Sequence, residues 1–175
     1  MTQPEPEEKK SARTPKSALE TAAAMLGRRA HTCLELRRKL YKKNKFPPFE
    51  IEKAVRELIR MGFLSDLRYA QDAVRILRGR GYGPLRIRSR LLTKGISRDL
   101  LDEVMADAAE NEDAAGGVDD VSRAVFLLRR AETRFAREED PRKRRMRMLR
   151  FLAGRGFPAS DAYAALEQWD REPDA

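Results

Sequence analysis

Leu36-Arg-Arg-Lys-Leu40-Tyr-Lys-Lys-Asn44-Lys-Phe46 is the stretch that decides the fold. Two apolar residues stand one helical turn apart. A residue that accepts the left-handed conformation follows a turn later, and then an apolar one. The same order returns as Ile87, Leu91, Gly95 and Ile96, and again as Met148, Leu152, Gly156 and Phe157. A chain that repeats one helical unit builds a stacked array with an extended surface, rather than a pocket around one reactive constellation.

Helix start and stop signals around these copies are dense. Ser17-Ala-Leu-Glu20 and Thr32-Cys-Leu-Glu35 match the capping box, in which hydroxyl and carboxylate satisfy orphan amides reciprocally. Ser65 and Ser97 are suited to cap the segments that follow them. Pro84 and Pro141 fall at first helical positions, where a missing N–H costs nothing. Asn44, Gly62, Gly95 and Gly156 stand where helices should stop. Together these signals predict about nine helices, over residues 17–30, 32–43, 48–61, 65–79, 84–94, 97–110, 119–136, 141–154 and 158–170. No stretch sustains the alternation of a strand, so the expected class is all-α. The expected architecture is three tandem three-helix modules in an elongated, curved array: 17–62, 63–110 and 118–170. Residues 111–117 read as a linker and 171–175 as a C-terminal tail. Residues 1–16, rich in proline and charge, read as a disordered tail. On the middle helices, Leu34, Leu36, Leu40 and Tyr41 share one face, as do Leu85, Ile87, Leu91 and Leu92. Arg37 and Arg88 fall within the same arcs.

Composition points the same way. Of 175 residues, 37% are charged, and the net charge is +9. Thin modules with much solvated surface suit that content better than one thick core. The single cysteine, Cys33, cannot make an intramolecular disulfide. No apolar run is long enough to span a membrane, so the expected setting is the cytoplasm.

The segment Gly62-Phe63-Leu-Ser-Asp66-Leu-Arg68-Tyr69-Ala70 resembles the hallmark of RecX-type regulators of the RecA recombinase. Glu35-Leu36 with Lys39-Leu40 is similar to that family's first-module pattern, and Leu91-Leu-Thr-Lys-Gly95-Ile96 to its second. Asn44 departs from it, standing where the family often has glycine, and the tail before Ser17 has no counterpart in the common core. The resemblance implies tandem three-helix modules and no catalysis. It implies binding to RecA and to RecA–single-stranded DNA filaments, with recombinase, ATPase and coprotease activities restrained. No cofactor or metal is implied, and a monomer is expected.

The motif residues themselves read as structural: Ser65 or Asp66 favours a helix start, while Tyr69 and Ala70 pack inward. The basic residues are the candidate partner surface. Arg75, Arg78, Arg86, Arg90 and Lys94 lie in a stretch nearly free of acids, and Arg142, Lys143, Arg144, Arg145, Arg147 and Arg150 form the densest basic tract. Arginine favours bidentate recognition of carboxylate or phosphate. Lys43, Lys94 and Arg155 also suit the negative ends of their helices. A rival is that these residues simply neutralise phosphates on single- or double-stranded DNA, affecting recombination only by competition.

Other constellations read as inert. His31 and Cys33 are too few for a structural zinc site and lack the partners of a catalytic triad. Asp99, Asp102, Glu103 and Asp107 follow the spacing of an exposed helix face, and Trp169 is expected to close a core. No catalytic residue is expected.

Overall fold

The computed structural model describes residues 17–114 and 118–171, the side chains of 111–114 excepted. The expected tail at 1–16, the last residues of the linker and the end of the chain lie outside the described residues. Within them the chain is helical: α1 Ala18–Leu26, α2 Cys33–Lys43, α3 Pro48–Arg60, α4 Asp66–Gly79 and α5 Pro84–Thr93. There follow α6 Arg98–Ala114, α7 Asp120–Arg130, α8 Glu132–Ala136, α9 Pro141–Arg155 and α10 Ala159–Arg171.

Most of the expected boundaries appear with their causes. Ser17 and Glu20 complete a capping box at α1. Ser65 accepts from the Arg68 amide at 3.3 Å, and Ser97 from the Leu100 amide at 3.3 Å. Asn44, Gly62, Gly95 and Gly156 all adopt the left-handed conformation, with φ of 49°, 74°, 87° and 89°.

Four expectations need correction. The helix expected over 119–136 is two, α7 and α8, broken at Ala131 with φ −103° and ψ 8°. No proline or glycine marks the break. It accompanies the burial of Phe135, whose ring meets Phe151 edge-on at 5.6 Å, so packing overrides local preference. At the other end α1 stops at Leu26, well short of residue 30, because Gly27 follows as its cap. Conversely, α6 runs on to Ala114, into the expected linker, since no glycine or proline occurs before Gly116. Finally, the apolar faces of α2 and α5 are narrower than expected. Leu36, Leu40, Ile87 and Leu91 are buried, whereas Tyr41, Leu85 and Leu92 stay exposed.

The buried residues divide into three cores. Leu36, Leu40, Ile51, Val55, Leu58 and Leu64 lie in the first. Ala70, Val74, Ile87, Leu91, Ile96 and Leu101 lie in the second. The third includes Leu128, Phe135, Met148, Leu152, Phe157 and Leu166, with Trp169 packed against it. Every heavy helix–helix contact falls inside one module, as expected of units that each bury their own apolar stripe. Arg37 and Arg88 reach across their modules to carboxylates on the third helix. Arg37 Nε lies 3.0 Å from Glu52, and Arg88 pairs with Asp102.

Leu91→Ala should cost about 2–5 kcal/mol of unfolding free energy, because the residue is fully buried. Leu92→Ala, at the exposed next position, should cost less than about 0.5 kcal/mol. Urea denaturation followed by circular dichroism separates the two.

Candidate interaction surface at the module junctions

Helix ends leave amide and carbonyl groups without intrahelical partners, and here the modules satisfy one another's. The α5 N-terminus begins at Gly83, which has no side chain to cap it. Its amides are met instead by the α9 C-terminus. Gly83 N–H donates to the Arg155 carbonyl at 2.9 Å, and Leu85 N–H to the Gly156 carbonyl at 3.0 Å. Both glycines are obligatory. A Cβ on Gly83 would lie 2.5 Å from the Gly156 carbonyl carbon, and one on Gly156 would lie 2.5 Å from the Arg86 nitrogen. Arg86 Nη1 also donates to the Gly154 carbonyl at 2.5 Å, and Arg155 Nη1 to the Arg80 carbonyl at 3.2 Å.

The same seat recurs one module earlier. There the C-terminus of α5 meets the N-terminus of α2. Thr32, fully buried, accepts from the Glu35 amide at 3.1 Å and donates to the Lys94 carbonyl at 2.6 Å. Gly95 sits against Leu34 so closely that a Cβ would fall 2.6 Å from the leucine Cβ. The hallmark Asp66 accepts from the Cys33 amide at 2.8 Å, so it caps α2 rather than its own helix. Arg68 of the same motif donates to the Gly62 carbonyl. The three middle helices thus line up α9 to α5 to α2, each negative C-terminal end against a positive N-terminal end.

Glu35 holds the first seat electrostatically, and this corrects the capping box expected at Thr32. Its carboxylate does not return to the cap; it lies 2.5 Å from Arg29, 3.5 Å from Lys94 and 3.8 Å from Lys39. The Arg29 hydrogen bond, with Lys94 and Arg29 charge behind it, pulls its pKa down to about 2. His31 is buried beside this cluster, its Nδ1 2.9 Å from the Arg29 carbonyl and its Nε2 2.9 Å from Lys39 Nζ. Burial lowers its pKa and favours the neutral ring. Burial, then Asp66, raises the Cys33 thiol to about 11, leaving it unreactive at neutral pH.

Asn44 lies at the free end of this line. Among the described residues no module seats against the α2 C-terminus, so asparagine in the left-handed conformation meets no obstacle and stands exposed. At the opposite free end, α9 is capped by a side chain: Asp140 accepts from the Arg142 and Lys143 amides at 2.8 and 3.3 Å.

The candidate basic residues fall into distinct groups. Arg86 and Arg90 place their guanidinium carbons 5.2 and 4.2 Å from the Tyr82 ring centroid, with Arg155 at 5.9 Å. Arg75 is exposed and 3.0 Å from Asp72. Arg78 is a correction: it is 8% exposed and donates to the Ala108 carbonyl at 3.0 Å, which puts it in the fold rather than on an open surface. Lys94 belongs to the Glu35 seat. In α9 much of the charge is met locally. Arg144 donates to the Glu138 carbonyl, Arg145 pairs with Asp170, Arg147 lies 3.3 Å from Glu138, and Lys143 lies 4.0 Å from Asp140. Arg142 and Arg150 make no ion pair among the described residues and are exposed. Sequence reasoning missed Tyr82 as the ring that gathers Arg86, Arg90 and Arg155. The available signal was the one-turn spacing Tyr82, Arg86, Arg90. Among the described residues no cluster of three or more potential metal ligands occurs.

Comparison with known proteins places each module separately. The first, second and third three-helix domains of RecX match residues 18–58, 65–105 and 119–166. A regulatory protein RecX of Thermus thermophilus is 35% identical over 152 residues, covering 87% of this chain and 89% of its own. That of Legionella pneumophila strain Corby is 33% identical over 141 residues, covering 80% and 86%. The crystal structure of RecX from Lactobacillus salivarius superposes with a TM-score of 0.75 at 19% identity, covering 89% of this chain and 96% of that one. At that identity the likeness speaks for the fold.

Two substitutions probe the seats. Gly156→Asn keeps a residue that tolerates the left-handed conformation but adds a side chain where none fits, so it should destabilise by about 1–3 kcal/mol. Asn44→Gly should change stability by less than about 0.5 kcal/mol. Denaturant unfolding of both variants checks this. Glu35→Gln tests the first seat through pH. A carboxylate whose pKa is about 2 when folded and ordinary, near ~4.3, when unfolded stabilises the fold fully above the unfolded value. The stability gap between the parent chain and Glu35→Gln should therefore shrink as pH falls from about 4.5 toward 2, measured as unfolding midpoints across that range.

Proposed function

The chain belongs to the RecX family, and we propose that it acts without catalysis, by binding RecA and RecA–single-stranded DNA filaments and restraining recombinase, ATPase and coprotease activities. The observation that carries this reading is the head-to-tail seating of the middle helices. It holds three small modules in fixed register, so charges on successive modules keep a fixed spacing along one body. A polymer with repeating subunits is the natural ligand for such a body. Two weak contacts on one rigid array raise effective concentration without either being strong.

Arg86 and Arg90 are the proposed centre of the gripping surface, and Arg75, exposed on α4 of the same module, adds to it. Stacking on Tyr82 holds both guanidiniums before any partner arrives, which lowers the entropy lost on binding. Arg142 and Arg150 extend the surface onto the third module. Among the described residues no helix is long and apolar enough to cross a membrane. The rival, a phosphate-neutralising DNA binder, draws on the same exposed Arg142 and Arg150.

Co-sedimentation with preassembled RecA filaments separates the readings: a filament regulator prefers them to bare single strands, and a competitor does not. Arg90→Glu is the cleaner variant, because Arg86 also holds the Gly154 carbonyl. It should weaken filament binding by about tenfold or more and lift the inhibition of DNA-dependent ATP hydrolysis, with its thermal midpoint unchanged. Undiminished inhibition would remove the Tyr82 cluster from the gripping surface.

A further inference from the structure

His31 is the chain's only histidine and is 4% exposed, in the link between α1 and α2. Its ring nitrogens face unlike partners, each at 2.9 Å: Nδ1 the Arg29 carbonyl, Nε2 the Lys39 ammonium. A carbonyl only accepts and an ammonium only donates, so the ring is neutral, with its proton on Nδ1. A second proton, on Nε2, would set two cations face to face at that distance. The surroundings offer little relief. From the link and α2 the ring faces Arg29, Glu35 and Lys39, and Lys94 reaches Glu35 from the end of α5. One carboxylate is thus already shared by three cations. From α4, Arg68, Tyr69 and Asp72 line a cavity of about 320 Å³ together with His31. The α3–α4 turn adds Gly62, Phe63 and Ser65, none of them charged. Arg68 is taken up by the Gly62 carbonyl and Asp72 by Arg75. The next two residues, Thr32 and Cys33, make the first seat through the Lys94 carbonyl and Asp66.

We propose that His31 is a proton-sensitive latch on the first junction. Neutral, it pins the link that carries Thr32 and Cys33, and the seat stays closed. Protonated, it parts from Lys39, turns into the cavity toward Asp72 and loosens the seat between the first two modules. Burial, aided by the Arg29 and Lys39 charges, holds the ring below its ordinary pKa of 6.5. The unfolded chain therefore takes up the proton near 6.5, and the fold only at lower pH. The stabilisation is complete above 6.5 and is lost as pH falls through that value toward the folded one. No other side chain has an ordinary pKa between about 5 and 8, which leaves this window to His31. The second seat joins backbone amides of Gly83 and Leu85 to backbone carbonyls, so acid opens one joint and spares the other.

Three readouts on the full-length chain test the latch. In proton NMR the single histidine C2–H resonance should titrate with a midpoint below 6.5. Lys39→Met, which keeps the stem and removes the facing charge, should move that midpoint up. Between pH 7.5 and pH 5 the thermal unfolding midpoint should fall by roughly 2–4 °C more for the parent chain than for His31→Gln. The glutamine amide offers a donor and an acceptor but does not titrate. Double electron–electron resonance reads the joint itself, with nitroxides at Arg38→Cys on α2 and Ala106→Cys on α6 in a Cys33→Ser background; both sites are exposed. One narrow distance at pH 7.5 and a second component at pH 5 are expected. The pair Ala106→Cys and Ser160→Cys, across the second junction, should stay narrow at both. An NMR midpoint at or above 6.5, an equal pH slope in His31→Gln, or a first-junction distance that ignores pH would each overturn the proposal. None of these readouts involves RecA, so that failure would leave the filament reading standing.

Discussion

The unpaired backbone groups at the ends of the middle helices govern how this molecule is put together. A buried amide or carbonyl without a partner costs about 1–3 kcal/mol, whereas a made hydrogen bond contributes only about 0.5–1.5 kcal/mol net. Two helix ends that complete each other therefore have more to lose by parting than their small contact suggests. Gly83 and Gly156 are both buried where their backbones meet, and neither has a side chain to separate them. At the first junction the Thr32 hydroxyl donates to the Lys94 carbonyl as Gly83 N–H does to that of Arg155, and the Asp66 carboxylate accepts from the Cys33 amide as the Gly156 carbonyl does from that of Leu85.

From that seating follows the division of labour among the charges. Glu35, Asp66, Lys94 and Arg78 hold modules and helices in place, while Arg86, Arg90 and Arg155 lie on the outside of the second junction around Tyr82. Arg86 serves both purposes, since it holds the Gly154 carbonyl and stacks on Tyr82. A surface built across a junction keeps its geometry only while the junction is closed. Regulation through such a surface thus depends on helix-end chemistry well removed from the partner.

Much of this was legible in the sequence. The repeated apolar spacing located the three cores, because Leu36, Leu40, Ile87, Leu91, Met148 and Leu152 must all face inward on any helix of that register. The left-handed stops were legible because few residues accept that conformation. What local pattern could not give was the partner of each helix end. Thr32-x-x-Glu35 has the form of a capping box, yet cations from three directions draw the carboxylate away. The break at Ala131 has no local cause, and the depth of Arg78 depends on where α6 passes. Asn44 was readable as a tolerated substitute, and the structure adds that its end of the array faces no neighbour among the described residues.

The central claim is that head-to-tail seats make three modules one body. Double electron–electron resonance measures it directly, with nitroxides at Arg38→Cys on α2 and Ser160→Cys on α10 in a Cys33→Ser background; both labelled sites are exposed. A single narrow distance distribution in solution is the predicted result. A broad or multi-component distribution would mean that the modules move independently and that no fixed surface spans them.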